Sequence, residues 1–331
     1  MSDWLFICTP GLEDVLADEA REKLGWRIDT VRGMVFASAY EKTMKQDGEP
    51  CWELLKCADN VYRIIGQGEV GPHKADLPAL GAWAAECIEW DALSSCAKPQ
   101  VRVTASRRGK HSYSRFQAAA AVEAALVSAL GWLPGDETRH DVALRLDIDN
   151  HKVMLSEKRS DAAFRFRGER TFLQGALRPT LAHALVRLSR PQPEDVFVDP
   201  FCGSGTIPLE RAVYPAAAIH GIDIEKERMR IAQQNDTKGI IQWQQGDALQ
   251  LPMEAQSIDA VVTNPPWGMQ LDTPGDLCVR FLRSLHPLMR DQGRVILLQP
   301  DMPIEKDWNV QRLHTLSLHG TLVGVWYCTP H

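Results

Sequence analysis

The sequence predicts an α/β fold in which two small α+β units precede a mostly parallel sheet with helices on both faces. From about residue 195 onward, short apolar runs alternate with helical patterns, and this rhythm is typical of a parallel sheet. Before that point, short strand patterns surround single amphipathic helices. The chain has 331 residues, more than one core usually organises, because domains commonly run to about 100–200 residues.

The first α+β unit extends to about residue 60. Apolar residues recur at every fourth position from Leu12 to Leu24 and stop at Gly25, which predicts an amphipathic helix. The segments 4–8 and 33–38, on either side of that helix, predict short strands.

The second α+β unit contains a helix and an antiparallel hairpin. Residues 101–105 alternate as a strand, and we expect the polar stretch 106–109 to break it. The alanine-rich segment 117–130 predicts a helix that ends before Gly131. Residues 142–149 alternate and then turn into 153–155, which predicts the hairpin.

The last part of the chain predicts five strands, three helices and a closing hairpin. The strands are expected at 195–198, 218–222, 240–244, 258–263 and 294–298. The helices are expected at 206–213, 225–235 and 276–289, and the hairpin at 313–318 and 322–327.

Composition excludes several classes of protein. Hydrophobic residues at 44% and charged residues at 24% are typical of a soluble globular enzyme. No apolar run approaches the roughly 20 residues of a membrane span, and the first ten residues do not resemble a signal peptide, so we expect a cytoplasmic location. We also expect a monomer. The eight cysteines form no Cys-x-x-Cys pair, which predicts reduced thiols and no metal site.

The net charge of −6 is distributed unevenly. Residues 1–97 carry −8, residues 98–190 carry +8, and residues 191–331 carry −6. A local basic stripe matters more to a nucleic-acid binder than global charge, because phosphate contacts dominate affinity. The alternative is an ordinary solvated surface. The candidates for phosphate contacts are Arg107, Arg108, Lys110 and Arg115.

A glycine loop, Asp-Pro-Phe-Cys-Gly-Ser-Gly-Thr at 199–206, follows an apolar strand and opens a helix. Gly203 and Gly205 permit a positive φ and a close approach of ligand to backbone. Dinucleotide-binding folds use similar loops, but Pro208 stands near the place of their third glycine. The loop therefore predicts a site for a nucleoside-bearing cofactor, formed by Asp199, Phe201, Cys202, Gly203, Ser204, Gly205 and Thr206.

Two acidic positions after the next strands extend this predicted site. Asp223, followed by Ile224, ends the second strand, where an acid binds ribose hydroxyls in nucleotide folds. Its alternative role is to cap the next helix. Asp247, followed by Ala248, is expected to meet the adenine amine, and its alternative is an ordinary turn aspartate.

The segment Asn264-Pro265-Pro266-Trp267 begins 58 residues after Thr206 and follows the fourth strand. Two prolines remove backbone donors and fix the chain, which leaves carbonyls as acceptors. The Asn264 side chain and the Pro265 carbonyl would accept both hydrogens of an aryl amine, while Trp267 stacks on the base. No metal or strong base is needed. The alternative is that the segment is only a proline turn that caps a strand. Taken together with the glycine loop, the segment predicts methyl transfer from S-adenosylmethionine to a base nitrogen.

These motifs resemble the class I methyltransferases that modify exocyclic amines, and the basic segment narrows the resemblance to THUMP-domain tRNA guanine-N2 methyltransferases. The resemblance spans nearly the whole chain, and residues 177–184 are similar to the family's stretch beside the cofactor. It implies a ferredoxin-like domain at 1–60, a THUMP RNA-binding domain at 61–155 and a linker at 156–175. A Rossmann-like seven-stranded catalytic domain follows at 176–331. The family more often has tyrosine at the position of Trp267.

The resemblance also implies a substrate. The first two domains would hold the acceptor stem and 3′ end of a tRNA while the catalytic domain methylates N2 of a guanosine, at position 6 of the acceptor stem. Alternatives are guanine N2 in ribosomal RNA, adenine N6 in DNA or a protein glutamine, and a scaffold that binds RNA without catalysis. The sequence leaves open whether one methyl group or two are added.

Overall fold

A computed structural model describes residues 3–38, 51–88, 98–267, 277–303, 305–318 and 320–331. In the first half, the elements are β1 (Trp4–Ile7), α1 (Glu13–Leu24), β2 (Arg27–Val31), β3 (Met34–Ser38), β4 (Asn60–Glu69), α2 (Leu77–Glu86), β5 (Gln100–Arg108), α3 (Arg115–Leu130), β6 (Leu133–Pro134), β7 (Val142–Asp149) and β8 (Lys152–Lys158). Short 3₁₀ turns lie at Trp52–Leu54 and Lys74–Asp76. These strands form one sheet in the order β2-β3-β1-β4-β8-β7-β5-β6.

This half departs from the sequence prediction in several places, and β2, α2 and β6 were not predicted. The polar stretch after residue 105 does not break the strand, since β5 continues to Arg108 and pairs in parallel with β7 as far as Asp149. The ladder bonds of β7 outweigh the local polarity. Strand β4 was not predicted, and it pairs with both β1 and β8, so that the two predicted α+β units share one sheet.

The second half begins with α4 (Ala162–Phe166) and α5 (Pro179–Leu188). It continues through β9 (Val196–Asp199), α6 (Thr206–Arg211), β10 (Ala218–Asp223), α7 (Lys226–Asn235), β11 (Gln242–Gln245), β12 (Ile258–Thr263), α8 (Leu277–Leu285), β13 (Met289–Gln299), β14 (Trp308–Leu318) and β15 (Thr321–Pro330). The sheet order is β11-β10-β9-β12-β13-β15-β14, with β9 to β13 parallel and β15 antiparallel to its neighbours. The predicted seven-stranded sheet with a closing hairpin is confirmed.

The helix predicted at 276–289 is shorter in the structure. Residue 276 lies outside the described part of the chain, α8 ends at Leu285, and a 3₁₀ turn, His286–Leu288, follows. Pro287 has no N–H to continue the helical ladder, which accounts for the change. Among the described residues, no helix combines the length and the apolar character needed to cross a membrane.

The largest apolar core joins the N-terminal unit to the catalytic sheet. Leu16 of α1 and Val35 of β3 belong to the same buried cluster as Leu185 of α5, Phe197 of β9 and Val325 of β15. A second core lies between α2, α3 and the sheet of the middle unit, and a third lies on the other face of the catalytic sheet, under α8. The N-terminal unit is therefore packed directly on the catalytic domain.

A buried polar network crosses the same interface. His183 of α5 lies between two carboxylates, with its Nε2 3.4 Å from Glu19 and its Nδ1 3.2 Å from Glu210. Burial acts to raise the pKa of Glu19, but His183 and Lys23 outweigh it and hold that pKa well below its usual range. Cys57 lies close enough to Glu19 and His183 to form a metal-binding trio. However, Glu19 already accepts hydrogen bonds from Lys23 and from the amides of Lys56 and Cys57, which favours an ion-pair network.

Candidate active site

A cavity of about 870 Å³ lies at the carboxyl ends of β9, β10 and β12, where the strand order of the sheet reverses. Open α/β sheets bind their ligands at this position. Three predicted segments, far apart in the chain, meet in its wall. The predicted residues that line it are Asp199, Phe201, Cys202, Gly203, Ser204, Thr206, Asp223, Ile224, Asn264, Pro265, Pro266 and Trp267.

The two loop glycines serve different purposes. Both have a positive φ, of 54° at Gly203 and 85° at Gly205. A Cβ on Gly203 would meet no described atom within 4 Å, whereas a Cβ on Gly205 would lie 2.6 Å from the Trp243 ring. Gly205 is not among the described residues of the cavity wall. Position 205 requires glycine because its φ is positive and because a Cβ would collide with Trp243. The close approach of a ligand, which the sequence suggested, is not the reason.

Asp199 ends β9 and is almost fully buried beside the cavity. Its Oδ1 accepts hydrogen bonds from the Thr263 hydroxyl, at 2.6 Å, and from the Phe201 amide, at 3.2 Å. Its Oδ2 is buried and has no hydrogen-bond partner among the described residues. Burial raises the pKa of Asp199 to about 7, and the charge of Asp223 adds to this effect. The buried oxygen can therefore accept a hydrogen bond from a ligand.

Asp223 connects the glycine loop to the end of β10. Its Oδ2 accepts a hydrogen bond from the Gly203 amide at 2.9 Å, and its Oδ1 accepts one from the Glu225 amide at 3.0 Å. Glu225, rather than Asp223, is the N-cap residue of α7. Since each carboxylate oxygen has a further lone pair, Asp223 can hold the loop and still bind ligand hydroxyls.

Asp247 and Ala248 are not among the described residues of the cavity wall. The Asp247 carboxylate accepts a hydrogen bond from the Leu249 amide at 2.9 Å, and its carbonyl accepts one from the Gln250 amide. Ala248 is buried in the apolar core under α8. In this structure both residues therefore belong to a turn.

The diproline segment follows β12 directly and opens onto the same cavity. Pro265 is buried, while Asn264, Pro266 and Trp267 are half-buried. The Trp267 indole N–H donates to Asn264 Oδ1 at 2.8 Å, a contact that sequence reasoning did not foresee. The acceptor atoms thus lie in the wall that also contains the glycine loop, with Asn264 Oδ1 held by the adjacent aromatic ring.

Comparison with known proteins identifies the family. A model of the RMKL-like methyltransferase domain matches residues 167–308. A tRNA (guanine(6)-N2)-methyltransferase of Thermus thermophilus is 31% identical over 308 residues, which cover 89% of this chain and 88% of that protein. The chain belongs to the tRNA guanine-N2 methyltransferase family. This family uses S-adenosylmethionine.

A solved structure and a mouse protein support the assignment. The crystal structure of TrmN from Thermus thermophilus matches this methyltransferase with a TM-score of 0.83 and 26% identity, covering 99% of each chain. The tRNA (guanine(6)-N(2))-methyltransferase THUMP3 of Mus musculus is 30% identical over 249 residues. That alignment covers 64% of this chain and 48% of the mouse protein. The class I methyltransferase fold and the THUMP-domain resemblance predicted from the sequence are confirmed.

The cavity wall of the methyltransferase also contains residues that sequence reasoning did not identify. They come from α4, from the segment before α5, from α7 and from β14, namely Arg165, Gln174, Arg228, Ser317 and Leu318. Leu177, Arg178 and Leu181 line the cavity too, and they belong to the stretch that the family resemblance places beside the cofactor. Arg178 donates to Asp59 at 2.9 Å and to the Thr9 hydroxyl at 3.0 Å, so the N-terminal unit holds part of the cavity wall in place. Only the resemblance of residues 177–184 pointed to this region.

The predicted RNA-binding residues of the methyltransferase lie away from the cavity, at the end of β5 and the start of α3. Arg108 forms a two-bond ion pair with Asp149, and Arg107 contacts His111 Nδ1 at 3.0 Å. The Arg115 guanidinium lies 4.8 Å from the ring centre of Phe116, which is 71% exposed. The charge of Arg108 is therefore largely balanced within the protein.

Proposed function

We propose that this chain transfers a methyl group from S-adenosylmethionine to the exocyclic N2 of a guanosine in tRNA, at position 6 of the acceptor stem. One observation carries the proposal: the glycine loop and the diproline segment line a single cavity. The tRNA (guanine(6)-N2)-methyltransferase of Thermus thermophilus, which matches 89% of this chain, supports guanosine 6 as the target.

The cofactor side of the cavity fits S-adenosylmethionine. Gly203 leaves open space beside the loop, and Asp199 Oδ2 is a buried acceptor without a described partner. We assign Asp199 to the ammonium group, Asp223 to the ribose hydroxyls and Ile224 to the adenine side. Phe201, Cys202, Ser204 and Thr206 complete this wall, whereas a contact from Asp247 or Ala248 requires their turn to move. When bound, the cofactor supplies an electrophilic methyl group.

The acceptor side fits a planar amine. The Asn264 side chain and the Pro265 carbonyl would accept its two hydrogens, which leaves the nitrogen lone pair directed at the methyl group. Asn264 Oδ1 can still take part because the Trp267 indole uses only one of its lone pairs. Stacking of guanine on Trp267 contributes roughly 1–3 kcal/mol. The amine loses its proton after attack, so no strong base is required.

The RNA must present its base from outside the duplex. Flipping a paired guanosine costs a few kcal/mol, which stacking in the cavity offsets. We propose that domains at 1–60 and 61–155, joined by a linker at 156–175 to a catalytic domain at 176–331, select the tRNA by the shape of its acceptor end. Contacts from Arg107, Arg108, Lys110 and Arg115, a cytoplasmic location and a monomeric state remain predictions.

Mapping the modified nucleoside tests this function. The purified protein is incubated with labelled cofactor and with unmodified tRNA, ribosomal RNA or DNA, and the labelled nucleoside is then located. We expect N2-methylguanosine at position 6 of tRNA. Label in ribosomal RNA alone, or in adenine N6 of a DNA control, would replace the proposal with one of its alternatives. Absence of cofactor binding in calorimetry would support a non-catalytic scaffold.

A further inference from the structure

An exposed aromatic pair lies in the linker next to the catalytic cavity. Phe166 and Phe172 are 38% and 37% exposed, and their rings meet edge to face with centroids 5.9 Å apart. The Arg165 guanidinium lies 5.3 Å from the Phe166 ring centre and also lines the cavity. Leu173, the residue after Phe172, lines the cavity as well. The pair therefore lies beside two residues of the cavity wall.

Both phenylalanines are held in place by neighbouring contacts. Next to Phe172, the Thr171 amide donates to Asn235 Oδ1 at 2.9 Å. The Asn235 side chain donates in turn to the carbonyls of Thr171, at 2.9 Å, and of Ser204 in the glycine loop, at 3.0 Å. Beside Phe166, Arg167 turns inward and lies 3.6 Å from buried Glu210. The linker would therefore lose little conformational freedom when a ligand stacks on the pair.

The charge around the pair suits a nucleotide. The Arg165 side chain is 32% exposed, while its buried Nε lies 3.8 Å from Asp59 Oδ1 in a long ion pair and has no hydrogen-bond partner within the described ranges. Burial lowers the pKa of Lys158, and the positive charge of Arg165 acts in the same direction. Asp161 and Glu169 of the same segment are exposed acids, but Asp161 already caps α4 through the Phe164 amide.

We propose that Phe166 and Phe172 form a stacking platform for one unpaired nucleobase of the RNA substrate, beside the cavity that takes the target guanine, with Arg165 contacting an adjoining phosphate. This inference rests on the proposed function and adds a second base-binding position to it. Aromatic faces with an adjacent cation are how single-stranded nucleic acid is commonly held. Flipping the target base also leaves neighbouring nucleotides unstacked, and one of them would occupy the platform.

Binding measurements on platform variants test the inference. The double variant Phe166→Ala, Phe172→Ala is titrated with unmodified tRNA and, separately, with S-adenosylhomocysteine. We expect the Kd for tRNA to rise about tenfold, the cost of one lost base stack. The Kd for S-adenosylhomocysteine and the turnover at saturating tRNA should stay unchanged. Phe166→Tyr with Phe172→Tyr should restore tRNA affinity, because a phenol stacks as a phenyl ring does.

Salt dependence separates stacking from charge. The double alanine variant should keep the salt slope of the unmodified protein, whereas Arg165→Gln should reduce that slope by about one. Ile240→Ala, which truncates a 51% exposed side chain at the opposite end of the sheet, is the matched control and should leave tRNA affinity unchanged.

Three results would overturn the platform: unchanged tRNA affinity in the double alanine variant, failure of the tyrosines to restore it, or an equal loss of cofactor affinity. An equal loss of cofactor affinity would show that the two rings contact the cofactor or stabilise the fold of the linker. Because RNA binding is measured without turnover, a protein that binds tRNA but modifies another nucleoside would disprove the proposed function and leave the platform standing.

Discussion

The hydrogen bond from the Trp267 indole to Asn264 Oδ1 changes the view of the diproline segment. From the sequence, Trp267 was expected only to stack on the base, at a position where the family more often has tyrosine. In the structure, Trp267 also orients the acceptor oxygen, which a side chain without an N–H at that place would not do. The residue at this position therefore affects the position of the amide as well as the base.

Removing the Asn264 acceptor should affect the chemical step. For Asn264→Ala we expect turnover on unmodified tRNA to fall by about a hundredfold, the usual loss for one preorganised hydrogen-bonding group at a reaction centre. Cofactor affinity should be nearly retained, because Asp199 and Asp223 are untouched. Single-turnover kinetics and calorimetry measure the two quantities. Trp267→Phe keeps a stacking ring and serves as comparison, and normal turnover in Asn264→Ala would defeat the assignment.

The ionisation of Asp199 should control cofactor binding. Burial raises the pKa of this carboxyl to about 7, so the unliganded folded protein binds one more proton than the unfolded chain between about pH 4 and pH 7. The stability contribution of Asp199 therefore falls as pH rises through that window. A cationic ligand prefers the carboxylate, so cofactor affinity should increase by up to about tenfold per pH unit below pH 7 and then level off.

Calorimetry across this pH range measures the effect of Asp199. The variant Asp199→Asn provides the control, since an amide does not titrate there and should bind the cofactor weakly with a flat pH profile. A steep pH dependence that persists in Asp199→Asn would assign the proton to another group.

At the scale of elements, the turn from β9 to α6 depends on Gly205. Alanine at a φ of 85° is strained by about 1–2 kcal/mol, and its Cβ would also displace Trp243. We expect Gly205→Ala to lower the Tm more than Gly239→Ala, which has a φ of 62° and open space around its Cβ. Equal decreases of Tm in the two variants would show that the Trp243 side chain moves aside at little cost.

The missed strand β4 shows why some elements escape sequence reasoning. Gly66 and Gly68 interrupt its apolar alternation, and glycine weakens a strand pattern. In the structure, a Cβ on Gly66 would lie 2.6 Å from Cys87 Sγ, and one on Gly68 would lie 2.7 Å from the Trp83 indole. These glycines let α2 and its end pack close against the strand. The contact depends on residues far along the chain, and no local pattern contains it.

The whole molecule is organised around a shared core. The N-terminal unit and the catalytic domain bury one apolar cluster, and the contact between His183 and Glu19 crosses the same boundary. Removing the first 160 residues would expose that cluster, so a truncated catalytic domain is a poor test of substrate choice. The intact chain is the proper material for each experiment above.

The predicted RNA surface can be tested through salt dependence. Changing Arg107, Arg108 and Lys110 together to glutamine should reduce the salt slope of tRNA binding by about two. Arg108 contributes little to this figure because Asp149 already balances its charge. The control is Arg230→Gln, whose charge is likewise paired, with Glu227 on α7. An unchanged salt slope in the triple variant would show that these three residues belong to an ordinary solvated surface and do not contact phosphates.

The sequence alone determined the fold class, the seven-stranded sheet, the family and the two segments that line the cavity. It could do so because the glycine loop and the diproline segment are short contiguous motifs whose chemistry is local. Only the tertiary structure decided that β4 joins the first two units and that Arg178 is held by the N-terminal unit. It also placed Asp247 outside the cavity wall and Phe166 beside Phe172. Those outcomes depend on packing between residues distant in the chain, which periodicity and spacing do not encode.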